Sequence, residues 1–473
     1  MIRLLFTAAI AMLATQVAVA SSPQPSESSP GTLTPLPPAS EIRTLAVHPS
    51  TVVLPSSDDS AQLVVTGSLA DGRLVDLTHA AKYNLADASL AAITKTGRVI
   101  PLANGTTQIT IHYGDKSATI PLTTRHVGEN LPINFPNQVV PVFTKLGCNS
   151  GGCHGKASGQ NGFKLSLLGF EPELDYMTLV KESRGRRLFP EAPDQSLFLL
   201  KAIGAVPHGG GKKMDADSDE YKIVRRWIAS GMPYGSPDDP IVTRISVYPE
   251  HRIMNRKSQQ QFAAYAHYSD GRVEDITRRA QYESNDAEIA TVNGNGLVTT
   301  LGMSGEAAIM ARYQGHVAVF RSTVPLGVKT PAWQFPEQTV VDRFTAKKWR
   351  ELGLVPSALS SDAVFIRRAY LDITGTLPTP EKVSAFLIDA DPKKRDRLID
   401  RLVDSPEYAY YFASKWADIL RVKRRNEADR ASGTFAFHAW IREAMAQDLP
   451  YSEFVRGVLT ATGDEIANPP TVW

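Results

Sequence analysis

Two cysteines and an adjacent histidine are the residues whose types and spacing best suit chemistry in this sequence. Cys148 and Cys153 are separated by Asn-Ser-Gly-Gly, and His154 follows Cys153 directly. Two thiols followed by histidine are typical of haem c attachment, in which the thiols add to the vinyl groups and the imidazole binds the iron. The usual spacing is two residues, but two glycines would let this longer loop bulge outward. The sequence therefore predicts one covalently attached haem c.

The same three residues also fit two other kinds of site. A disulfide between Cys148 and Cys153 could form in an oxidising compartment, and the chain would then be a non-haem cell-surface protein with an adhesive or structural role. A zinc ion would need four ligands, of which His208 could be the fourth. These alternatives stay open at the level of the sequence.

A haem iron would take a second axial ligand from later in the same segment. His208, Met214 and Met232 are the candidates, and Met214 is favoured by its position just before a helix. Arg184, Arg186 and Arg187 are candidates for binding the haem propionates, because arginine pairs with carboxylates through two hydrogen bonds. The helix begins near Asp217-Ser-Asp-Glu220, which has the pattern of a capping box. Residues 126–235 are therefore expected to form a small, mainly α-helical cytochrome c-like domain.

The N-terminus has the features of an export signal. Residues 1–20 combine Arg3, an apolar stretch and a final Ala-Val-Ala, which predicts a cleaved signal peptide. Residues 21–41 are rich in Ser and Pro and are expected to form a linker. We expect an exported protein in the periplasm or at the cell surface, with no transmembrane segment after the signal peptide.

An internal repeat flanks the central segment. Asp71-Gly-Arg-Leu-Val-Asp-Leu-Thr78 matches Asp270-Gly-Arg-Val-Glu-Asp-Ile-Thr277, and the offset between the two copies stays near two hundred residues. Short alternating runs separated by turn residues predict two β-sandwiches, over 42–125 and 241–325. The pattern resembles the bacterial Ig-like domain of group 2. Most of the remaining chain, 335–473, shows helical periodicity and is expected to be mainly α-helical.

The central and C-terminal segments resemble exported multidomain proteins of planctomycetes. The resemblance is carried by Cys148-Asn-Ser-Gly-Gly-Cys-His-Gly155, by Val206-Pro-His-Gly-Gly-Gly211 and by Phe365-Ile-Arg-Arg-Ala-Tyr-Leu-Asp372. It implies a cytochrome c-like domain in which His208 is the distal ligand, followed by a helical domain of unknown function that continues past residue 473. The chain is accordingly expected to be incomplete.

These expectations combine into a redox module held by Ig-like spacer domains, with an unknown redox partner. The spacers could also contact the cell surface or its glycans. The net charge of +2 gives no support to a nucleic-acid partner. No triad, carboxylate pair or phosphate-binding loop indicates a reaction, so no catalytic residue is predicted and enzymatic activity is left open.

Overall fold

The computed structural model describes residues 32–422 and 431–473. The expected signal peptide, and the linker up to residue 31, lie outside the described residues. The chain divides into two compact units, one ending at Val355 and one formed by Pro356–Trp473. Among the described residues, the structure contains no helix that is both long and apolar enough to span a bilayer.

The two copies of the repeat have the same topology. Each copy consists of ten strands in three sheets, and strand n of the first copy corresponds to strand n+10 of the second. The sheets have the orders β1-β4-β5, β2-β10-β9-β6 and β3-β8-β7, and the second copy repeats these orders strand by strand. The prediction of β-sandwich-like sheets in both copies is confirmed.

The strands of the first copy are β1 (Thr44–His48), β2 (Val52–Leu54), β3 (Ala61–Gln62), β4 (Val64–Ser68), β5 (Leu74–Asp76), β6 (Lys82–Leu85), β7 (Ala91–Ile93), β8 (Arg98–Pro101), β9 (Gly105–Tyr113) and β10 (Lys116–Thr124). Those of the second copy are β11 (Val242–Tyr248), β12 (His251–Ile253), β13 (Gln259–Gln261), β14 (Ala263–Tyr268), β15 (Val273–Asp275), β16 (Gln281–Ser284), β17 (Ala290–Val292), β18 (Leu297–Thr300), β19 (Gly305–Tyr313) and β20 (His316–Val324).

Local sequence explains the longest strands and the hairpin turns. In β9, Ile109 and Ile111 are fully buried and alternate with more exposed residues, as expected for a strand with one face on the core. Gly72 has a φ of +83° in the turn between β4 and β5, a conformation that favours glycine. Asp71 accepts a hydrogen bond from the backbone N–H of Arg73 and so stabilises the same turn.

The segment between the two copies is built from short helices around its own apolar core. They are α1 (Val140–Lys145), α2 (Pro172–Tyr176), α3 (Leu197–Ala202) and α4 (Asp219–Ala229). The helix α4 is capped by Ser218, whose hydroxyl accepts from the backbone N–H of Tyr221, so the cap lies one residue after Asp217. Its apolar face buries Trp227 completely, next to Phe135 and Phe143. This core is separate from the cores of the two sandwiches.

The C-terminal part of the chain is helical, as predicted. Its helices are α5 (Val340–Leu352), α6 (Asp362–Thr374), α7 (Pro380–Ile388), α8 (Lys394–Val403), α9 (Pro406–Ile419), α10 (Ala431–Ala446) and α11 (Tyr451–Leu459). The helix α5 begins with a capping box between Thr339 and Asp342 and ends at Gly353, which has a φ of +71°. It belongs to the first compact unit, whereas α6 to α11 form the second.

Candidate functional site

A cavity of about 520 Å³ opens in the central segment beside α3. Its walls come from the loop after α1, a tight turn around Asn161, the loop before α3, α3 itself and the glycine-rich loop around His208. The lining residues are Cys148, Gly152, Cys153, His154, Gln160, Asn161, Phe163, Ser183, Arg186, Arg187, Leu197, Phe198, Lys201, Ala202, His208, Gly209, Gly210 and Lys213. Six of the residues that the sequence singled out therefore line one cavity: Cys148, Cys153, His154, Arg186, Arg187 and His208. The side chain of Arg184 lies outside the described residues.

The two histidines of the cavity are held in a fixed relation to each other. The Nδ1 of His154 donates to the carbonyl oxygen of Phe163 at 2.9 Å, and the Nδ1 of His208 donates to that of Gly211 at 2.8 Å. The two imidazole rings are parallel within 8°, and their centroids lie 6.5 Å apart. Burial lowers the pKa of His154, so its imidazole is neutral near pH 7. The backbone contacts fix both ring orientations before any ligand arrives.

Arg186 and Arg187 differ in what their side chains contact. Arg187 donates to the carbonyl oxygens of Thr178 at 2.6 Å and Gly162 at 2.9 Å, and its guanidinium lies 4.7 Å from the ring centroid of Phe163. Arg186 is exposed at the cavity wall. Arg187 thus holds the walls of the cavity together, while Arg186 remains available to a ligand.

Met214 lies in the hydrophobic core, unlike the two histidines. Its side chain is only 6% exposed and packs among the apolar residues of the central segment. Its neighbour Lys213 lines the cavity instead. The structure therefore brings His154 and His208 together and separates Met214 from them.

Two functional side chains were missed by the sequence reasoning. Lys201 and Lys213 both line the cavity, and the Nζ of Lys201 donates to the carbonyl oxygen of Pro207 at 2.8 Å. A signal for Lys201 was its place three residues after Phe198 on α3, which puts both on the same helix face.

A second candidate site is the contact between the two copies of the repeat, which is reciprocal. The backbone N–H of Gln62 donates to Asp275 at 2.6 Å, and the backbone N–H of Gln261 donates to Asp76 at 2.7 Å. Gln62 and Gln261 occupy equivalent positions in the two copies, as do Asp76 and Asp275. Burial raises the pKa of both carboxyl groups, and the hydrogen bonds that they accept oppose this rise.

Further contacts join the copies around this reciprocal pair. The rings of His48 and Tyr248 stack with centroids 3.6 Å apart. Arg279 of the second copy bridges Glu274 at 2.6 Å and Asp59 of the first copy at 3.1 Å, and all three side chains are largely buried. Burial raises the pKa of Asp59 to about 6 even though Arg279 opposes that effect. The copies therefore meet through directional polar contacts rather than through a shared apolar core.

The central segment is tied to both copies. Arg226 of α4 pairs with Asp58 of the first copy, and Arg98 pairs with Asp219 at 2.5 Å. The hydroxyl of Tyr313 in the second copy donates to the carbonyl oxygen of Asn137 at 2.9 Å. The part of the chain that ends at Val355 is accordingly one compact unit that contains three separate cores.

Two family models match parts of the chain. Residues 241–311 match the model for the bacterial Ig-like domain (group 2), and residues 340–471 match that for a protein of unknown function (DUF1549). The chain thus contains one domain of each kind, and the first copy of the repeat has the strand order of the Ig-like one.

Individual proteins resemble parts of this chain at low identity. Ice-binding protein 1 of Shewanella frigidimarina (strain NCIMB 400) is 24% identical over 321 residues, which cover 68% of this chain and 33% of that relative. The chain therefore spans about a third of the length of this curated relative.

Solved structures show weaker likeness. S-layer protein SbsC, domains 5–6, has 13% identity and a TM-score of 0.25, and the match covers 60% of this chain and 97% of that one. Invasin, a bacterial integrin-binding protein, has 11% identity and a TM-score of 0.13, and the match covers 61% and 60% of the two chains. These TM-scores are too low to support an argument about shared architecture.

The prediction of a covalent haem c is wrong. Within residues 32–422 and 431–473, no group of three or more His, Cys, Asp or Glu side chains is placed to hold a metal ion. Burial raises the pKa of Cys148 to about 11, so this thiol is neutral and packs against the core. The four residues between the cysteines form a tight turn, in which the Cys153 N–H donates to the Ser150 carbonyl oxygen. The order of two thiols and an imidazole was therefore not sufficient to identify a haem site.

Related expectations change with it. The matched families give no support to a cytochrome c-like domain or to a planctomycete origin. An electron-transfer role and a redox partner consequently have no support. Both cysteines are free in the structure, so the disulfide of the alternative interpretation is not formed either.

Proposed function

We propose that this chain is part of an exported cell-surface protein with a structural or adhesive role, in which the two Ig-like copies form one stiff spacer. The observation that carries the proposal is the reciprocal contact in which Asp76 and Asp275 each accept from the other copy. A flexible string of modules would need no such contact, because domains joined only by linkers move independently by default. A spacer that holds another part of the protein at a fixed place needs such a contact, because the contact restricts movement between the two copies.

The sequence signals and the comparisons support the same role. Residues 1–20 have the pattern of an export signal, and the second copy matches the bacterial Ig-like family. The proposed partner is the cell surface or its glycans, contacted through the Ig-like copies. Ice binding is not part of the proposal, because the match covers only a third of the ice-binding relative.

The test is the accessibility of the chain on intact cells. The full-length protein is produced with its own N-terminus, and intact cells are treated with a protease or with a biotin reagent that does not cross membranes. We expect the Ig-like copies to be labelled before lysis, while a cytoplasmic control protein is not. Protection of the chain until the cells are lysed would overturn the proposed location and with it the role.

A further inference from the structure

The cavity beside α3 carries a concentrated positive charge. Arg186, Arg187, Lys201 and Lys213 line it, whereas the lining residues that the structure describes include no aspartate or glutamate. The whole chain is nearly neutral, with a net charge of +2 over 473 residues. Four cations without a carboxylate are therefore a local feature, and such a site attracts an anion.

Uncharged protein groups hold two of these four cations in place. Arg187 donates to the carbonyl oxygens of Thr178 and Gly162, and Lys201 donates to that of Pro207. A carbonyl group fixes a cationic side chain without cancelling its charge. Burial lowers the pKa of Arg187, and the carboxylate of Glu182, which is not one of the lining residues, opposes that effect. Glu182 so offsets part of the positive field, while Arg186, Lys201 and Lys213 add to that field. The ammonium group of Lys213 acts on the same space, since it opposes the rise that burial causes in the pKa of Cys148.

The rest of the wall is apolar or aromatic. Phe163, Leu197 and Phe198 line the cavity, and the neutral imidazole of His154 packs against Phe163 with ring centroids 4.5 Å apart. The parallel ring of His208 adds a second flat surface. A cavity of about 520 Å³ lies within the range of small-molecule sites, which combine apolar walls with a few polar groups.

We propose that this cavity binds a small organic anion with an apolar, ring-containing body. The acidic end of the ligand meets Arg186 and Lys213, and its body packs on Phe198 and on the imidazoles of His154 and His208. Binding is reversible, and it needs neither a metal ion nor a bond to either cysteine. The site gives the central segment a binding role of its own, beyond the structural role of the Ig-like copies.

The probe for this site is 8-anilinonaphthalene-1-sulfonate, a fluorescent anion with two aromatic groups. The full chain is titrated with this probe and, separately, with N-phenyl-1-naphthylamine, which has the same ring system without the sulfonate. The variants are the double substitution Arg186→Gln with Lys213→Gln and the matched control Lys212→Gln. Lys212 adjoins Lys213 but pairs with Asp215 and does not line the cavity.

We expect the anion to bind saturably and more tightly than the neutral analogue. The double variant should weaken binding of the anion about tenfold, which corresponds to about 1.4 kcal/mol, and should leave binding of the neutral analogue within twofold. Lys212→Gln should leave the affinities for the anion and for the neutral analogue unchanged. Equal affinity of the intact protein for both probes, or an unchanged affinity of the double variant for the anion, would overturn the proposal. Unaltered circular dichroism of the variants shows that a loss is not caused by unfolding.

Discussion

The reciprocal contact between the Ig-like copies leads to a quantitative prediction for Asp76→Ala. The carboxylate accepts from the backbone N–H and hydroxyl of Thr78 in its own copy and from the backbone N–H of Gln261 in the other. Its removal leaves the buried N–H of Gln261 without that acceptor. Such a loss costs about 1–3 kcal/mol, and hydrogen bonds to charged groups lie in the upper part of this range.

Part of this cost is recovered, because burial disfavours the carboxylate, as the raised pKa of Asp76 shows. We therefore expect a net loss of about 2 kcal/mol in the free energy of local opening at the interface. Because about 1.4 kcal/mol corresponds to a factor of ten, amide exchange should become about 30-fold faster. The measurement is hydrogen exchange by mass spectrometry on the peptide that contains Gln261.

Asp87→Ala is the matched control. Asp87 accepts from the backbone N–H and the hydroxyl of Ser89, which is the same local pattern, but its side chain is exposed and both of these hydrogen bonds stay within the first copy. We expect its substitution to leave exchange at Gln261 within about twofold, because surface changes usually cost less than about 0.5 kcal/mol. If Asp76→Ala changed exchange at Gln261 no more than Asp87→Ala does, the argument from the reciprocal contact would be refuted.

Three further predictions concern the central segment. A Cβ on Gly155 would lie 2.0 Å from the carbonyl oxygen of Asn149, so Gly155→Ala should lower the free energy of unfolding in urea by about 1–3 kcal/mol. Gly152→Ala is the control, because a Cβ there meets no described atom within 4 Å, and it should leave the free energy of unfolding nearly unchanged. Burial raises the pKa of Asp175 from 3.8 to about 6, so its contribution to stability is fully present below pH 4 and is lost as the pH rises through 6. The difference in unfolding free energy between the intact chain and Asp175→Asn should therefore change over that pH range. A constant difference would contradict the raised pKa. Because burial raises the pKa of Cys148 to about 11, its alkylation by iodoacetamide at pH 8 should be about tenfold slower in the folded chain than in urea. Peptide mass spectrometry follows both rates, and equal rates would show that the folded chain does not shield this thiol.

The periodic parts of the fold could be predicted from the sequence. The helical periodicity over 335–473 predicted a mainly α-helical region, and α5 (Val340–Leu352) and α8 (Lys394–Val403) lie within it, because an amphipathic helix follows its own 3.6-residue period. The repeat motif likewise located the two sandwiches.

Contacts across the copies could not be predicted in the same way. Asp76 and Asp275 were recognised as members of a repeated motif, but the motif does not state that each side chain also accepts from the opposite copy. That contact joins residues about two hundred positions apart, and it depends on how the two folded copies pack against each other. The same reason explains why the charge of the cavity was missed, because Arg186, Lys201 and Lys213 approach one another only in the folded chain.

The cysteine motif was given too much weight in the sequence analysis. The order of Cys148, Cys153 and His154 is local, and it was interpreted as a complete chemical signature. The structure brings both cysteines and the histidine to one cavity, but it does not form a metal-holding group of three or more such ligands among the described residues. A short motif with an unusual spacing is therefore weaker evidence than a constellation of side chains in three dimensions.

The central claim is that the two Ig-like copies form one stiff spacer, and a distance distribution between them tests it most directly. Spin labels are placed through non-cysteine chemistry at Leu102 and Met303, which are exposed at 54% and 52% in the first and second copy. Pulsed electron paramagnetic resonance on the full chain then gives the distribution. We predict one narrow distance, which broadens when Asp76 and Asp275 are both replaced by alanine. A broad distribution in the unsubstituted chain, unchanged by the replacement, would contradict the account.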